Sequence, residues 1–426
     1  MARSAWPVRR AFPLLATIGL VLVGMASSTW WGPHIAGTRA WQLPDDLWGT
    51  LVAARRLLHL ELGGLYTQPT GLVAFPGAAL VLVPIAAVID AAGLSLASPG
   101  AHNAQPAAWL AAGPYEILLS AVVLFAADSV AERLGASRPK RALLAGAGAV
   151  ALWNVSVRWG HPEDAVAVAL LLYGVLALSE ARTSVSAWTV GAAVAVQPLV
   201  LLAVPILVVL VERQRLAGFL TRAAAPAALL VGIALSADWQ ATSKAVVDQP
   251  NWPGVDHPTP FVAFAPHLGH GAVAAGPSRG VAVIAACLVA LVVERREPRA
   301  TMGKAWGAEE LAEVLWWIAL ALALRCVFES VMVAYYVWPV LAVALVCSST
   351  RWPRLVSTSV VAAALTFVSQ ASWHGRWTWW GAMVAGIATT LVCAREARRV
   401  SWDRLVWAVS LGRSQGIQDT RLRSST

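Results

Sequence analysis

The sequence predicts an all-α, polytopic integral membrane protein, and three observations carry that prediction. First, 58% of the 426 residues are hydrophobic and only 13% are charged, with a mean hydropathy of +0.64. Soluble domains carry about 25% charged residues, and disordered chains are poor in apolar ones. Second, the apolar residues fall into long stretches separated by short polar turns, which is the pattern of helices that must satisfy every backbone group inside a bilayer. Third, the 22 Trp and the +9 net charge suit aromatic belts at the interfaces and basic cytoplasmic loops. The basic excess is therefore read as topology and not as a nucleic-acid partner. Cys287, Cys326, Cys347 and Cys393 sit apart in apolar runs with no C-x-x-C, so neither a zinc site nor a disulfide framework is expected.

About twelve spans are expected, over residues 11–31, 113–131, 142–158, 164–181, 184–197, 199–211, 223–238, 278–294, 311–328, 331–347, 355–372 and 378–394. They make one membrane domain over 1–394, with a long outer loop at 32–112, a Pro-rich outer lid loop at 239–277 and a basic cytoplasmic tail at 395–426. Stretches 184–197 and 199–211 are short for a span, and Gln197-Pro198 between them reads as the turn of a helical hairpin. The apolar segment 71–92 decides the topology. If it crossed, Arg133, Arg138, Lys140, Arg141 and the basic tail would all lie outside, against the positive-inside rule. Pro76 and Pro84 favour a bent segment that does not cross. Both termini are then cytoplasmic, most Lys and Arg lie inside, and all eight His lie on or near the outer side.

The outer loop at 32–112 contains Pro44-Asp45-Asp46-Leu47 followed by an amphipathic helix. Leu47, Leu51, Ala54, Leu58 and Leu62 form its apolar stripe, while Arg55, Arg56, His59 and Glu61 lie off it. Gly63-Gly64 is the expected stop. The helix is expected to lie flat in the interface, anchored by Trp48. Asp45 or Asp46 then either caps it or presents a carboxylate at headgroup level. The second outer loop, His161-Pro162-Glu163-Asp164, offers the same choice between helix capping and a second acidic cluster. Paired acids at such a place suit sugar hydroxyls, a metal ion or base chemistry. The lid loop carries Asp248, Asp256, His257, His267 and His270. In the membrane, Arg325 and Glu329 are one helical turn apart and either pair structurally or serve a substrate. Glu116 is a second intramembrane charge, and Tyr335 and Tyr336 are expected to line the same outer cavity.

This layout resembles the GT-C superfamily of membrane glycosyltransferases, and within it an actinobacterial mannosyltransferase-like branch. The resemblance rests on Pro44-Asp45-Asp46-Leu47, Tyr66 with Pro69 and Phe75-Pro76, His161-Pro162-Glu163-Asp164, Gln197-Pro198, and Arg325 with Tyr335-Tyr336. It implies transfer of a mannose-like hexose from a polyprenyl-phosphate donor to a lipid or glycan acceptor, outside a bacterial plasma membrane. Asp45 or Asp46 would be the catalytic base. His161, Glu163, Asp164, Arg325, Glu329, Tyr335, Tyr336, Gln197 and His59 would bind substrate, and a divalent metal ion is the one cofactor this allows for. Many relatives have Lys-Pro where this chain has Gln197-Pro198, which removes a cation. A transporter or lipid flippase, and a non-catalytic relative of the enzymes, are the alternatives.

Overall fold

The computed structural model describes residues 6–30, 45–67, 72, 74–96, 108–296, 304–371 and 377–395. Two N-terminal helices open the chain, α1 (Trp6–Arg9) and α2 (Ala11–Trp30). At 1.5 Å per residue, the 20 residues of α2 reach about 30 Å, the thickness of a bilayer core. The next described helix is α3 (Asp45–Leu58). Its stripe residues Leu47, Leu51 and Ala54 are buried, as the pattern predicts. They are buried in protein, however, against α4 (Pro76–Leu80) and α5 (Val83–Ala91). The apolar stripe of α3 therefore packs on the rest of its own loop. Trp48 is not a free interfacial anchor, because its indole N–H donates to the Leu96 carbonyl at 2.8 Å. Arg55 (2.7 Å) and His59 (3.2 Å) both meet Asp90 of α5.

The stop of α3 also differs from expectation. The helix ends at Leu58, and Leu60, not a glycine, takes the left-handed conformation at φ 59°. The Glu61 N–H closes the turn on the Arg56 carbonyl at 2.8 Å. Gly64 has another use, since the Arg56 guanidinium lies against it and donates to its carbonyl. Segment 71–92 is broken as expected. Pro76 and Pro84 each sit in the first turn of a short helix, and helices of 5 and 9 residues cannot cross a bilayer.

The central bundle follows. Helices α6 (Trp109–Ser120) and α7 (Val122–Arg133) run almost continuously, and α8 (Arg138–Leu152) unwinds into a wider turn at Asn154–Arg158. Then come α9 (Pro162–Ser179) and α10 (Thr183–Val196). Small residues let α10 approach its neighbours: a Cβ on Gly77 of α4 would lie 2.2 Å from the Ala195 carbonyl oxygen. After Gln197 the expected second arm is a 3₁₀ turn (Pro198–Ala203) and the six-residue α11 (Val204–Val209), not one helix. Helices α12 (Arg213–Ala237) and α13 (Trp239–Val247) lead into the lid loop. Its strand β1 (His257–Pro258) pairs antiparallel with β4 (Val331–Met332), and β2 (His267–Gly269) with β3 (Ala272–Val273).

The last elements are α14 (Ser278–Arg296), α15 (Ala308–Phe328), a 3₁₀ turn (Ala334–Val337), α16 (Trp338–Ser348), α17 (Trp352–Val368) and α18 (Thr378–Ala394). The expected span 331–347 therefore begins as strand and 3₁₀ turn. Among the described residues, four helical stretches are long and apolar enough to cross a membrane: Trp109–Arg133, Pro162–Ser179, Arg213–Ala237 and Ala308–Phe328. Six shorter apolar helices of 10–17 residues accompany them among the described residues. Exposed Leu229 and Ile233 on α12, with Ile284 and Leu288 on α14, form the apolar outer surface that such a protein presents to lipid.

Charge divides the bundle end from end. At one end Arg10 (2.6 Å) and Arg141 (2.5 Å) clamp the buried Asp128, while Arg9 meets Glu132 at 2.8 Å. Lys140 donates to the Thr350 carbonyl and Arg133 to that of Trp306. These loops, all expected on the cytoplasmic side, thus gather together. The described histidines lie on elements at the other end, and the basic tail lies outside the described residues.

Replacing Gly77 with Val is expected to cost about 1–3 kcal/mol or more, by forcing α4 off α10. Gly146 has open space around its Cβ position, so Gly146→Ala should hold or gain about 0.5–1 kcal/mol. Thermal unfolding of the two purified variants in one detergent checks the contrast.

Candidate functional site

Asp46 occupies the first turn of α3, but its carboxylate does not cap that helix. Its Oδ2 lies 3.1 Å from His161 Nε2, a partner 115 residues away. The chain reaches His161 through the widened turn at 154–158, which the Asn154 amide pins by donating to the Thr366 carbonyl (2.9 Å) and Ser369 Oγ (3.0 Å). Gly160 then takes a left-handed φ of 66°, and the His161 N–H returns to the Val155 carbonyl at 2.7 Å. The imidazole is buried, with Nδ1 2.8 Å from Glu163 Oε1. Tyr335 stacks on its face at 4.1 Å and Trp159 closes on Tyr335 at 5.8 Å.

The acids at the start of α9 are likewise more than dipole partners. Glu163 is engaged by His161, and Asp164 Oδ1 accepts from the Gln197 amide at 2.6 Å. Glu116 of α6 is buried within electrostatic range of Glu163 and His161, and accepts from Ser120 Oγ at 3.1 Å. Glu163 Oε2 and Asp164 Oδ2 are buried with no hydrogen-bond partner. Unsatisfied buried polar atoms cost about 1–3 kcal/mol each and concentrate at working sites.

A basic half adjoins this acidic half. Arg325 lies 3.9 Å over the Tyr336 ring and within electrostatic range of Asp164, and Tyr336 meets Tyr335 edge-on at 5.0 Å. The expected Arg325–Glu329 pair exists, but at 3.4 Å it is the looser contact. Arg279 of α14 holds Glu329 at 2.9 and 3.1 Å, and donates to Gln249 Oε1 at 2.5 Å. The buried Glu329 carboxylate therefore faces two guanidinium groups, which gather both cations at this end of the cluster.

The lid loop is stitched to the same place. The Thr259 hydroxyl donates to the Glu329 carbonyl at 2.5 Å, and its N–H to that of Ser330 at 3.1 Å. His257 stacks on Trp379 at 3.9 Å. The preceding residue, Asp256, comes within electrostatic range of Asp46. Burial, with repulsion from Asp46 added, pushes the Asp256 carboxyl up to about 6. Burial also opposes charge on Asp46 and His161, yet their mutual attraction wins. The Asp46 carboxyl is held below its ordinary value, and His161, flanked by Asp46 and Glu163, well above its own.

Asp46, His161, Glu163, Asp164, Gln197, Tyr335, Tyr336, Arg325 and Glu329 thus form one connected cluster. His59 stands apart, 3.2 Å from Asp90, which also pairs with Arg55. The Asp45 side chain lies outside the described residues. His267 and His270 sit on an exposed hairpin, and among the described residues no group of three or more His, Cys, Asp or Glu is arranged to hold a metal. The acids that a metal would need are engaged by His161 and Gln197 instead.

Two residues tied to the cluster were not assigned to it from sequence: Arg279 was not singled out, and Asp256 was named only as part of the lid loop. Arg279 left a readable signal: a cation in the first turn of α14 opposes the helix dipole and so wants a tertiary partner. Asp256 left none beyond its place in a Pro-rich loop. No protein-family model matches this chain, and no curated protein matches it either.

Because the fold opposes its ionisation, the Asp256 carboxylate weakens the protein above its folded value of about 6. Asp256→Asn should therefore stabilise the chain by up to about 3 kcal/mol near pH 8. The gain should vanish below about pH 4, where the wild-type group is protonated in both states. Melting curves at the two pH values decide this, and an equal gain at both would sink it.

Proposed function

We propose that this chain is a membrane glycosyltransferase, moving a mannose-like hexose from a polyprenyl-phosphate donor to a lipid or glycan acceptor. The reaction takes place at the extracytoplasmic face of a bacterial plasma membrane, with both termini in the cytoplasm. One observation carries this reading: residues from positions 46, 161–164, 197, 325 and 335–336 meet in a cluster with an acidic and a basic half. That polarity suits a reaction in which a hydroxyl loses a proton and a phosphate leaves with negative charge.

In this mechanism the acceptor O–H gives its proton to Asp46 as the oxygen bonds to the anomeric carbon. The bond from that carbon to the phosphate oxygen breaks, and its electron pair departs with the phosphate. Asp46 suits the role because its side chain is 51% exposed while His161 behind it is buried. Arg325 and Arg279, with one carboxylate between them, supply the positive charge that the leaving phosphate needs. The faces of Tyr335 and Tyr336 are taken by His161 and Arg325, so these rings hold the two charged groups in place. The charge partition at the opposite end supports the assigned orientation by the positive-inside rule.

A carrier is the second reading, favoured by the buried Glu116 beside Glu163 and by the unwound turns at 154–158 and 198–203. Flux of a polyprenyl-phosphate sugar across proteoliposomes, without transfer, would select it.

Asp46→Asn should lower transfer by about 10²–10⁴-fold while the chain still folds, since Asn keeps an oxygen for His161. The measurement is incorporation of labelled mannose from a polyprenyl-phosphate donor by membranes carrying each variant, with Asp45→Asn run beside it. Undiminished transfer by both variants would remove the assignment.

A further inference from the structure

Asp46, His161 and Glu163 form an unbroken line of three side chains. Asp46 Oδ2 is 3.1 Å from one ring nitrogen, and Glu163 Oε1 is 2.8 Å from the other. The imidazole between them cannot rotate freely, because Tyr335 stacks on its face at 4.1 Å. Its backbone is held by the Val155 carbonyl and by the left-handed turn at Gly160. Two carboxylates on the two nitrogens of one ring require both nitrogens to carry protons, because a carboxylate only accepts.

We infer that Glu163 is a positioning residue for Asp46: by taking the Nδ1 proton of His161 it fixes an imidazolium whose Nε2–H holds one Asp46 oxygen, leaving the exposed part of that carboxylate for the acceptor hydroxyl. This rests on the glycosyltransferase reading and extends it to a residue buried behind the reacting groups. Glu163 touches no substrate, as its side chain is 5% exposed and its free oxygen is sealed in. The charged neighbours around the ring are Asp46 on α3, Glu163 and Asp164 on α9, and Glu116 on α6. Arg325 on α15 lies beyond Asp164, with Tyr335 on the ring face. Glu163 is the one whose carboxylate meets Nδ1.

The sign follows from the geometry. With Glu163 in place the imidazolium persists well above the ordinary histidine value of about 6.5. Without it the ring loses its second proton earlier as pH rises, and can then bind Asp46 only by turning or by giving up the Nδ1 proton.

The test uses the full chain in lipid nanodiscs with ¹⁵N-histidine, the His161 signal being assigned by its loss in His161→Gln. In the wild type His161 should stay doubly protonated well above the ordinary histidine midpoint. In Glu163→Gln its midpoint should fall by at least about one pH unit, and Glu163→Asp should recover part of that fall. Transfer by Glu163→Gln should lose its alkaline limb over the same interval, in kcat and not in donor KM, with a loss at pH 8 of about tenfold beyond that at pH 6. A purely structural strap would lower the melting temperature of both variants without moving the limb or the titration, and that result would overturn the inference. So would an unmoved limb alongside a moved titration. If the wild type transfers no sugar at any pH, the glycosyltransferase reading fails, while an unmoved His161 midpoint would separately show that Glu163 does not govern the ring.

Discussion

A buried imidazole with a carboxylate on each nitrogen is the joint around which the histidine-bearing end of this protein is assembled. His161 links α3 to α9 through Asp46, and links both to the Tyr335 segment through ring stacking. Desolvation alone would strip its charge, and the two carboxylates reverse that outcome. Remove the charge and α3 loses its described tie to α9, keeping its apolar stripe, the Asp90 contacts and the Trp48 bond to Leu96. The same joint sets where the carboxylate of Asp46 stands, so structure and chemistry depend on one interaction.

The molecule has a second polar knot at its other end, and the contrast is instructive. There Arg10 and Arg141 surround the buried Asp128 with short contacts and full hydrogen bonding. Such a cluster is satisfied and holds α2, α7 and α8 in register. The outer cluster is not satisfied: Glu163 Oε2, Asp164 Oδ2 and Arg279 Nη2 are all buried without partners. A fold under selection only for stability would place apolar side chains there, since buried ion networks rarely gain over them. The uneven satisfaction is the physical ground for locating function at the histidine end.

Much of this could be read from the chain itself. The break at Pro76 and Pro84, the break after Gln197, and the grouping of basic loops all have local causes that a sequence displays. Where the reading slipped, a distant contact had overruled a local preference. Leu60 and not Gly63 reverses the chain after α3, while the Arg56 guanidinium lies against the bare backbone of Gly64. Trp48 looks like an interfacial anchor, but Leu96 offers its indole an acceptor within the protein. Arg325 and Glu329 are a helical turn apart and invite pairing, yet Arg279 from another helix takes the closer place.

The sequence by itself determined that this is a helical membrane protein and which of its loops share an end. Hydropathy, proline placement and charge bias act over a few residues, so they survive without a fold. Only the tertiary structure decided which acids meet which cations. His161 was one of several outer histidines until Asp46 and Glu163 closed on its two nitrogens, and His59 was its equal until Asp90 claimed it. Those pairings join residues 115 positions apart for Asp46 and His161, and residues of two different helices for His59 and Asp90. No local pattern ranks them, because their energies come from burial and distance, which exist only once the helices have packed.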